Sequence, residues 1–452
     1  MYENGLKDSP LGPIPSEWDF ITLGYLADNG IIWIKNGYAQ GEHNQDSSGI
    51  PHIRPFNVSQ EGEIDLSHIK YVSSPEENSP YWLKLGDVIF NNTNSEELVG
   101  KTAFLEQNGA YVLSNHMTII RVNDPSIIDG YWLSKEMFYL WKIGLFRALC
   151  RRHVNQASIS LGRLRNITIP LPPLPEQRAI ARVLSIVRQS IEATERVIAA
   201  SRELKRSLMK HLFTYGPVPI DKGDQVVLKE TEIGEVPREW DLQPLGMIIE
   251  EGGGSIQTGP FGSQLHASDY VDFGIPFVMP KDLGPSGEIK PDTIAYIGND
   301  DYIRLQRYHL IEGDIVVARR GELGRRGLVT IKEDGWVCGT GSLRIRPGKK
   351  LLPTYLNQSF ETSWLRDWLS AHAVGTTMAN LSSTILSELP VLVPSMNQQK
   401  LVAEYLSTTQ AKIDSEMGQK AALDDLFNSL LQNLMTGKVR IKSYDKGTKK
   451  NK

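Results

Sequence analysis

The chain has 452 residues, 40% apolar and 23% charged, with a net charge of −4. That length exceeds what one core usually holds, so two or three domains are expected, and the composition is that of an ordinary globular protein rather than a disordered or fibrous one. No run reaches the ~18 apolar residues of a membrane span. The opening "MYENGLKDSPLGPIP" lacks the basic-then-apolar layout of a secretory leader, so a cytoplasmic protein is expected. Cys150 and Cys338 are the two cysteines, which argues against a disulfide framework and a cysteine zinc site.

Taken in chain order, the first distinctive stretch is "PLGPIPSEWDFITLG" (Pro10–Gly24). Short β-branched or aromatic runs bounded by Gly, Asn or Asp then predict strands at Asp87–Phe90 and Thr102–Leu105, with a helix over Tyr131–Ala148. Arg147–Arg165 carries five arginines and no acid. The junction "LPPLPEQRAIARVLS" (Leu171–Ser185) follows, where prolines halt an extended segment and an apolar-periodic helix begins.

The same order then starts again. "EIGEVPREWDLQPLG" (Glu232–Gly246) places Trp240 222 positions after Trp18, and "VPSMNQQKLVAEYLS" (Val393–Ser407) places Ser407 222 positions after Ser185. Between them "GDVIF" at Gly86 returns as "GDIVV" at Gly313, within predicted strands Asp314–Ala318 and Gly327–Ile331, and a helix is expected over Pro353–Ala371. The spacing drifts and recovers, as loop insertions make it do, so the chain reads as one large domain duplicated.

Each half ends in a long helix. Ile180, Leu184, Val187, Ile191, Thr194, Ile198, Ser201, Lys205, Leu208 and Leu212 follow a 4-3 spacing. Val402, Leu406, Thr409, Ile413, Glu416, Lys420, Leu423, Phe427, Leu430 and Leu434 repeat it in the same register. That is a coiled-coil pattern with polar interruptions. The order domain–helix–domain–helix lets the stripes meet only if the helices run antiparallel, as a rod of roughly 55 Å at ~1.5 Å per residue. The alternative is that each helix packs on its own domain. The expected fold is therefore α+β: two duplicated mixed α/β domains separated by an antiparallel coiled coil. The boundaries fall at residues 1–172, 173–215, 216–394 and 395–437, with a basic tail at 438–452 expected to be disordered.

Catalytic motifs are mostly excluded. "SEELVGKT" (Ser95–Thr102) ends like a P-loop but has Ser95 where the first glycine belongs. "EEGGGS" (Glu250–Ser255) lacks the dinucleotide spacing, no HExxH is present, and the nine histidines are not at metal-ligand spacing. The polar-Pro-Pro-aromatic motif of amino-methyltransferases is missing. A dispersed carboxylate nuclease site is left open.

Recognition chemistry gathers at the paired GD hairpins. Asn91, Asn92, Asn94 and Lys101 follow the first, and Arg319, Arg320, Arg325 and Arg326 the second. Asn pairs bidentately with adenine, and Arg with guanine or phosphate, while polar hairpin tips explain the same residues blandly. "SIQTGPFGSQLHASDY" offers Gln257, Thr258 and Ser263 beside glycines that let backbone approach a ligand. Arg151, Arg152 and His153 suit phosphate neutralisation. Arg54 and Asn57 lie opposite Lys281 and Asp282, and Asn115 and His116 opposite Thr340 and Ser342; each is equally consistent with turn chemistry.

The duplicated Pro-Pro-Leu-Pro-Glu-Gln junction, the "GPFGS" loop and the "LLQNLMTGK" end (Leu430–Lys438) make the chain resemble the DNA specificity subunit of type I restriction–modification systems, over nearly its whole length. The resemblance implies two target recognition domains joined by antiparallel helices, in a non-catalytic subunit that reads double-stranded DNA. It further implies two modification (methyltransferase) subunits and restriction (translocase/nuclease) subunits as partners. S-adenosylmethionine, ATP and Mg²⁺ would sit on those partners, with no metal or cofactor on this chain. The second junction departs to "PSMNQQK" and the first half has no "GPFGS", so individual base contacts do not transfer. The junctions Pro172–Arg178 and Pro394–Lys400 carry over as domain-to-helix corners. Competing readings are a stand-alone nuclease or methyltransferase and a DNA-independent helical scaffold.

Overall fold

The computed structural model describes residues 5–10, 12–39, 42–44, 48–261, 264–373 and 380–441. They form two compact units, Met1–Thr194 with Gln419–Lys452, and Glu195–Gly418. Each is built on the same four-stranded antiparallel sheet. In the first unit its order is Ile32–Asn36, Met117–Val122, Val88–Asn91, Thr102–Phe104. In the second the order is Ser255–Thr258, Ser342–Arg346, Ile315–Ala318, Arg326–Leu328.

The duplicated motifs acquire physical causes in this frame. Gly86 and Gly313 each adopt a φ of 88°, a left-handed turn that favours glycine. The aspartate that follows is buried at the strand entry. Asp87 accepts from the Lys84 backbone N–H (2.7 Å) and binds Arg121 bidentately (2.7 and 2.6 Å). Asp314 accepts from the Ile311 N–H (3.0 Å) and binds Arg346 likewise (2.8 and 2.7 Å). "GD" is thus a strand-entry device in both halves. The strands observed start or stop within a residue or a few of those expected.

The two ends of each repeat meet. Asp19–Thr22, from the "EWD" stretch, pairs antiparallel with Thr168–Leu171, which leads into the first junction. Asp241–Pro244 pairs the same way with Pro390–Val393 before the second. The chain then turns into helices Leu174–Tyr215 and Met396–Met435, of 42 and 40 residues.

One buried glutamine fixes each turn. Gln177 donates to the Pro172 (2.8 Å) and Ile127 (3.2 Å) carbonyls and accepts from the Asp129 N–H (2.9 Å). Gln399 donates to the Pro394 and Lys350 carbonyls (3.0 Å each) and accepts from the Leu352 N–H (2.8 Å). Both side chains are fully enclosed, and each carboxamide satisfies three backbone groups, of which the proline carbonyl is bonded in a buried setting.

The helical stripe is buried or half-buried throughout. Leu184, Val187, Ile191, Ile198, Leu212, Leu406, Ile413, Phe427 and Leu434 are in the core class, with Leu208, Leu423 and Leu430 partly covered. In the first unit, Ile180, Leu184, Val187 and Ile191 share a core with Phe427, Leu431 and Leu434, and also with Trp18 and Trp132 of the domain. In the second, Met209, Leu212 and Phe213 share one with Val402 and Leu406, and with Trp240 and Tyr355. Helix pairing and docking on a domain, weighed as alternatives from the sequence, are therefore both present. Direction follows from contacts in the second unit. Arg202 reaches the Met417 sulfur (3.5 Å), and Lys205, one turn on, reaches Gln410 (2.8 Å), seven residues back, so the helices are antiparallel.

Charge fastens helix to domain as well. Arg188 meets Glu63 at 2.7 Å, with Lys135 3.8 Å away, and burial raises the Glu63 carboxyl against the pull of both cations. Lys205 meets Glu361 at 2.6 Å, and Glu361 also holds Arg326 (2.9 Å).

Three expectations are revised. The helix expected over 131–148 is split into Gly130–Lys142 and Leu145–Leu149, because Gly144 takes φ 80°. That over 353–371 is split into Pro353–Ser359 and Ser363–His372, where the Ser359 and Thr362 hydroxyls bond to the Tyr355 and Ser359 carbonyls. The start of the basic tail is docked: Arg440 binds Glu176 (2.8 Å) and Glu17 (2.9 Å), while Trp18 donates to Glu176 (3.0 Å). The rest of the tail, 442–452, lies outside the described residues. Cys150 is half-buried, its thiol donating to the Arg147 carbonyl (3.2 Å), whereas Cys338 is buried and burial pushes its thiol up to about 12.

Gln177→Ala leaves the buried Pro172 carbonyl and two partly buried backbone groups without their partner and is expected to cost about 1–3 kcal/mol. Urea unfolding of the full chain checks this; an unchanged midpoint would mean that the corner does not depend on the amide.

Candidate nucleic-acid interface

At one end of each sheet, three loops converge through the same backbone bonds. The Asn92 N–H donates to the His116 carbonyl (3.1 Å), and the Asn92 carbonyl accepts from Ile159 (2.9 Å). In the second unit, the Arg319 N–H donates to the Gly341 carbonyl (2.9 Å), and its carbonyl accepts from Leu381 (2.9 Å). Asn92 and Arg319 are therefore structural equivalents, as are His116 and Gly341. The surface is a shared frame that carries different side chains.

Several candidate side chains are occupied by that frame. Asn57 accepts from the Arg54 N–H (3.1 Å) and donates to the Asp65 carbonyl (2.8 Å). Its counterpart Asp282 accepts from the Met279 N–H (2.8 Å) and from the Thr293 hydroxyl (2.7 Å). The amide group of Asn91 lies within bonding distance of the Leu98 carbonyl (3.5 Å), and that of Asn92 donates to Thr118 (3.0 Å). Lys101 donates to the Val58 carbonyl, and Arg325, its structural equivalent, to that of Leu283, so two different cations serve one role. Arg326 is enclosed, bonded to Glu361 and to the Asn357 carbonyl (2.6 Å). Ser342 is buried against the Val278 carbonyl (3.4 Å), and Gln257 accepts from Arg344 (2.8 Å). Arg319 donates to Asn380 and to the Leu381 carbonyl (3.0 Å each).

Most of the remaining candidates are at least partly exposed. In the second unit, Arg320 and Lys281 are exposed and Thr258 is half-buried, whereas the Thr340 hydroxyl is enclosed without a partner among the described residues; Ser263 lies outside the described residues. In the first unit, Arg151, Arg152 and His153 project from a hairpin whose strand Ala157–Ser158 pairs with Thr93–Asn94. Arg152 is held by Glu96 (2.7 Å) and His153 by Ser158 (3.2 Å).

Arg54, Asn94, Asn115 and His116 come together on one cleft of about 670 Å³. Sequence reasoning missed the other polar and aromatic groups that line it. His52 is enclosed, and its Nδ1 lies 3.3 Å from Nε2 of His43. Phe56 is half exposed, with the Arg54 guanidinium 4.2 Å from its ring centre. The available signal was "HIRPF", in which strand alternation puts His52 and Arg54 on one face. Among the described residues no cluster of His, Cys, Asp or Glu is suited to a metal ion, and no helix is long and apolar enough to cross a membrane.

A duplicated domain, each copy ending in a long helix and carrying its own divergent loop surface, is the arrangement of a recognition protein with two modules. The chain matches the model of the type I restriction modification DNA specificity domain over residues 15–200 and 269–425, and it belongs to that family. A Methanocaldococcus jannaschii protein assigned as the type I restriction enzyme MjaX specificity subunit is 25% identical over 98% of both chains. The EcoBI specificity subunit of Escherichia coli is 24% identical over 94% of this chain and 87% of its own. The crystal structure of a type I restriction–modification S subunit from M. genitalium superposes with a TM-score of 0.61 at 14% identity, covering 96% of this chain and 97% of that one, and so shares the fold. This chain is accordingly a non-catalytic specificity subunit.

The imidazole pair makes the first unit pH-sensitive. Burial, with His43 and Arg54 nearby, pushes His52 down to about 4 from its ordinary 6.5. Between those values the unfolded chain holds a proton that the folded one does not, so stability falls as pH drops from 6.5 towards 4. Replacing His52 with Gln is expected to shrink this loss. Denaturant midpoints at pH 7 and pH 5 test it, and an equal decline in both proteins would remove His52 as the cause.

Proposed function

We propose that each unit reads one half of a split DNA target and that the paired helices set the distance between the halves. The observation that carries this reading is the shared frame with unlike tips. Equivalent backbone bonds hold Asn92 and His116 in one unit and Arg319 and Gly341 in the other. Unlike side chains in one frame read unlike bases, so the target is asymmetric rather than palindromic. Arg54, Asn94, Asn115 and His116 in the first unit, and Thr258, Lys281 and Arg320 in the second, are the groups proposed to face DNA. Arg151, Arg152 and His153 neutralise phosphate. Asn57, Asn91, Asn92, Lys101, Gln257, Asp282, Arg319, Arg325, Arg326 and Ser342 act by shaping the loops.

In this reading the chain binds no cofactor. Two modification subunits bring S-adenosylmethionine and methylate adenine, and restriction subunits bring ATP- and Mg²⁺-dependent cleavage, all in the cytoplasm. The relatives' designation as specificity subunits of restriction enzymes supports those partners.

Removing one heptad from each long helix, at matching positions, is expected to shorten the unread spacer and leave both half-sites intact. Sequencing methylated sites in cells expressing the system displays both; half-sites that change while the spacer does not would sink the ruler. Exchanging Ser16–Asn155 for a homologous segment is expected to alter one half-site only.

A further inference from the structure

We infer that the first unit reads base edges through the cleft formed by His43, His52, Arg54, Phe56, Asn115 and His116, and that the second unit has no such device. The inference rests on the DNA-reading proposal above and names the groups that give the first half-site its specificity.

The lining chemistry separates bases from phosphate. Among the described residues the cleft presents imidazoles, amides, a hydroxyl and a phenyl ring, with Arg54 as its single permanent cation and no carboxylate. A phosphate site gathers cations; a base edge presents alternating donors and acceptors, which imidazole and carboxamide groups match. Arg151 and Arg152, cations that suit phosphate, do not line the cleft; they stand on the adjoining hairpin, whose second strand pairs with Thr93–Asn94 at the cleft's edge.

Two polar atoms in the cleft wall are enclosed without a partner among the described residues, Nε2 of His52 and Nε of Arg54. His52 is only 2% exposed and its other nitrogen is engaged by His43. An unpaired buried donor or acceptor is costly in the free protein. Phe56 adds an apolar surface, 51% exposed beneath the Arg54 guanidinium. Its backbone sits in a one-turn 3₁₀ segment closed by the Asn57 side chain, which holds the ring at the rim before any ligand arrives. Such a ring suits a thymine methyl or an unstacked base face.

Sheet register locates the counterparts. His52 lies opposite Val112 as Phe277 lies opposite Val337. The second unit thus has Phe277 for His52, Met279 for Arg54, Lys281 for Phe56 and Gly341 for His116. Neither the His52 nor the His116 imidazole recurs, so the contribution of that pair of positions is confined to one half of the target.

The test is binding-site selection by the full-length chain from a duplex library randomised across both half-sites. Wild type is expected to enrich a two-part motif. Phe56→Ala and His52→Phe are each expected to reduce preference roughly tenfold at one or two positions of one part, leaving the other part unchanged. If wild type enriches no motif, the DNA-reading proposal fails and the cleft with it. If wild type enriches the two-part motif and Phe56→Ala leaves both parts intact, or weakens all sequences equally as loss of a phosphate contact does, the cleft inference alone is overturned. Should His52→Phe erase the first part entirely through misfolding, the exposed Phe56→Ala and Asn115→Ala variants decide the matter.

Discussion

A helix that grows out of a domain carries no information about direction unless its root is fixed. In this chain the root is a proline-bounded strand end followed by a glutamine whose amide is sealed away from water. Gln177 and Gln399 each bind three backbone groups, among them a buried proline carbonyl, at the point where strand becomes helix. Sliding or rotating the helix breaks several enclosed hydrogen bonds together. The apolar stripe then continues the same core, so domain and helix share one hydrophobic interior instead of meeting at a loose joint. Lys205 and Arg188 add ion pairs on the same boundary.

With the roots alike, the two copies differ at the tips. The duplicated domains preserve strand order, the glycine–aspartate strand entry and the bonds that join the three converging loops. They even preserve a cation on one particular carbonyl, as lysine in one copy and arginine in the other. What differs is the chemistry displayed beyond that frame: in the first unit imidazole, amide and phenyl groups stand beside guanidiniums, where the second sets Phe277, Met279, Lys281 and Gly341.

The architecture was legible in the sequence because it rests on periodicity and repetition. A 4-3 apolar spacing maintained over ten positions has few alternatives, and the recurring tryptophans and junctions marked the copies. The breaks at Gly144 and at Thr362 were harder, since a left-handed glycine or a hydroxyl bonded to its own backbone interrupts a helix without disturbing the apolar pattern. The site was only partly legible, because residue type does not encode which way a polar group points. Asn57, Asn91, Asn92 and Arg326 have the right chemistry for bases and phosphates yet spend it on carbonyls and carboxylates within the fold. Conversely, His43 and His52 drew no notice, being nine residues apart and brought together only by the approach of a loop to a strand.

The two cysteines give an unplanned experimental handle on so symmetrical a chain. The half-buried Cys150 immediately precedes Arg151 and Arg152, while the thiol of Cys338 is enclosed and held protonated at neutral pH. A maleimide dye will therefore mark one head and spare the other, and its fluorescence will register what approaches that rim without any cysteine having to be engineered.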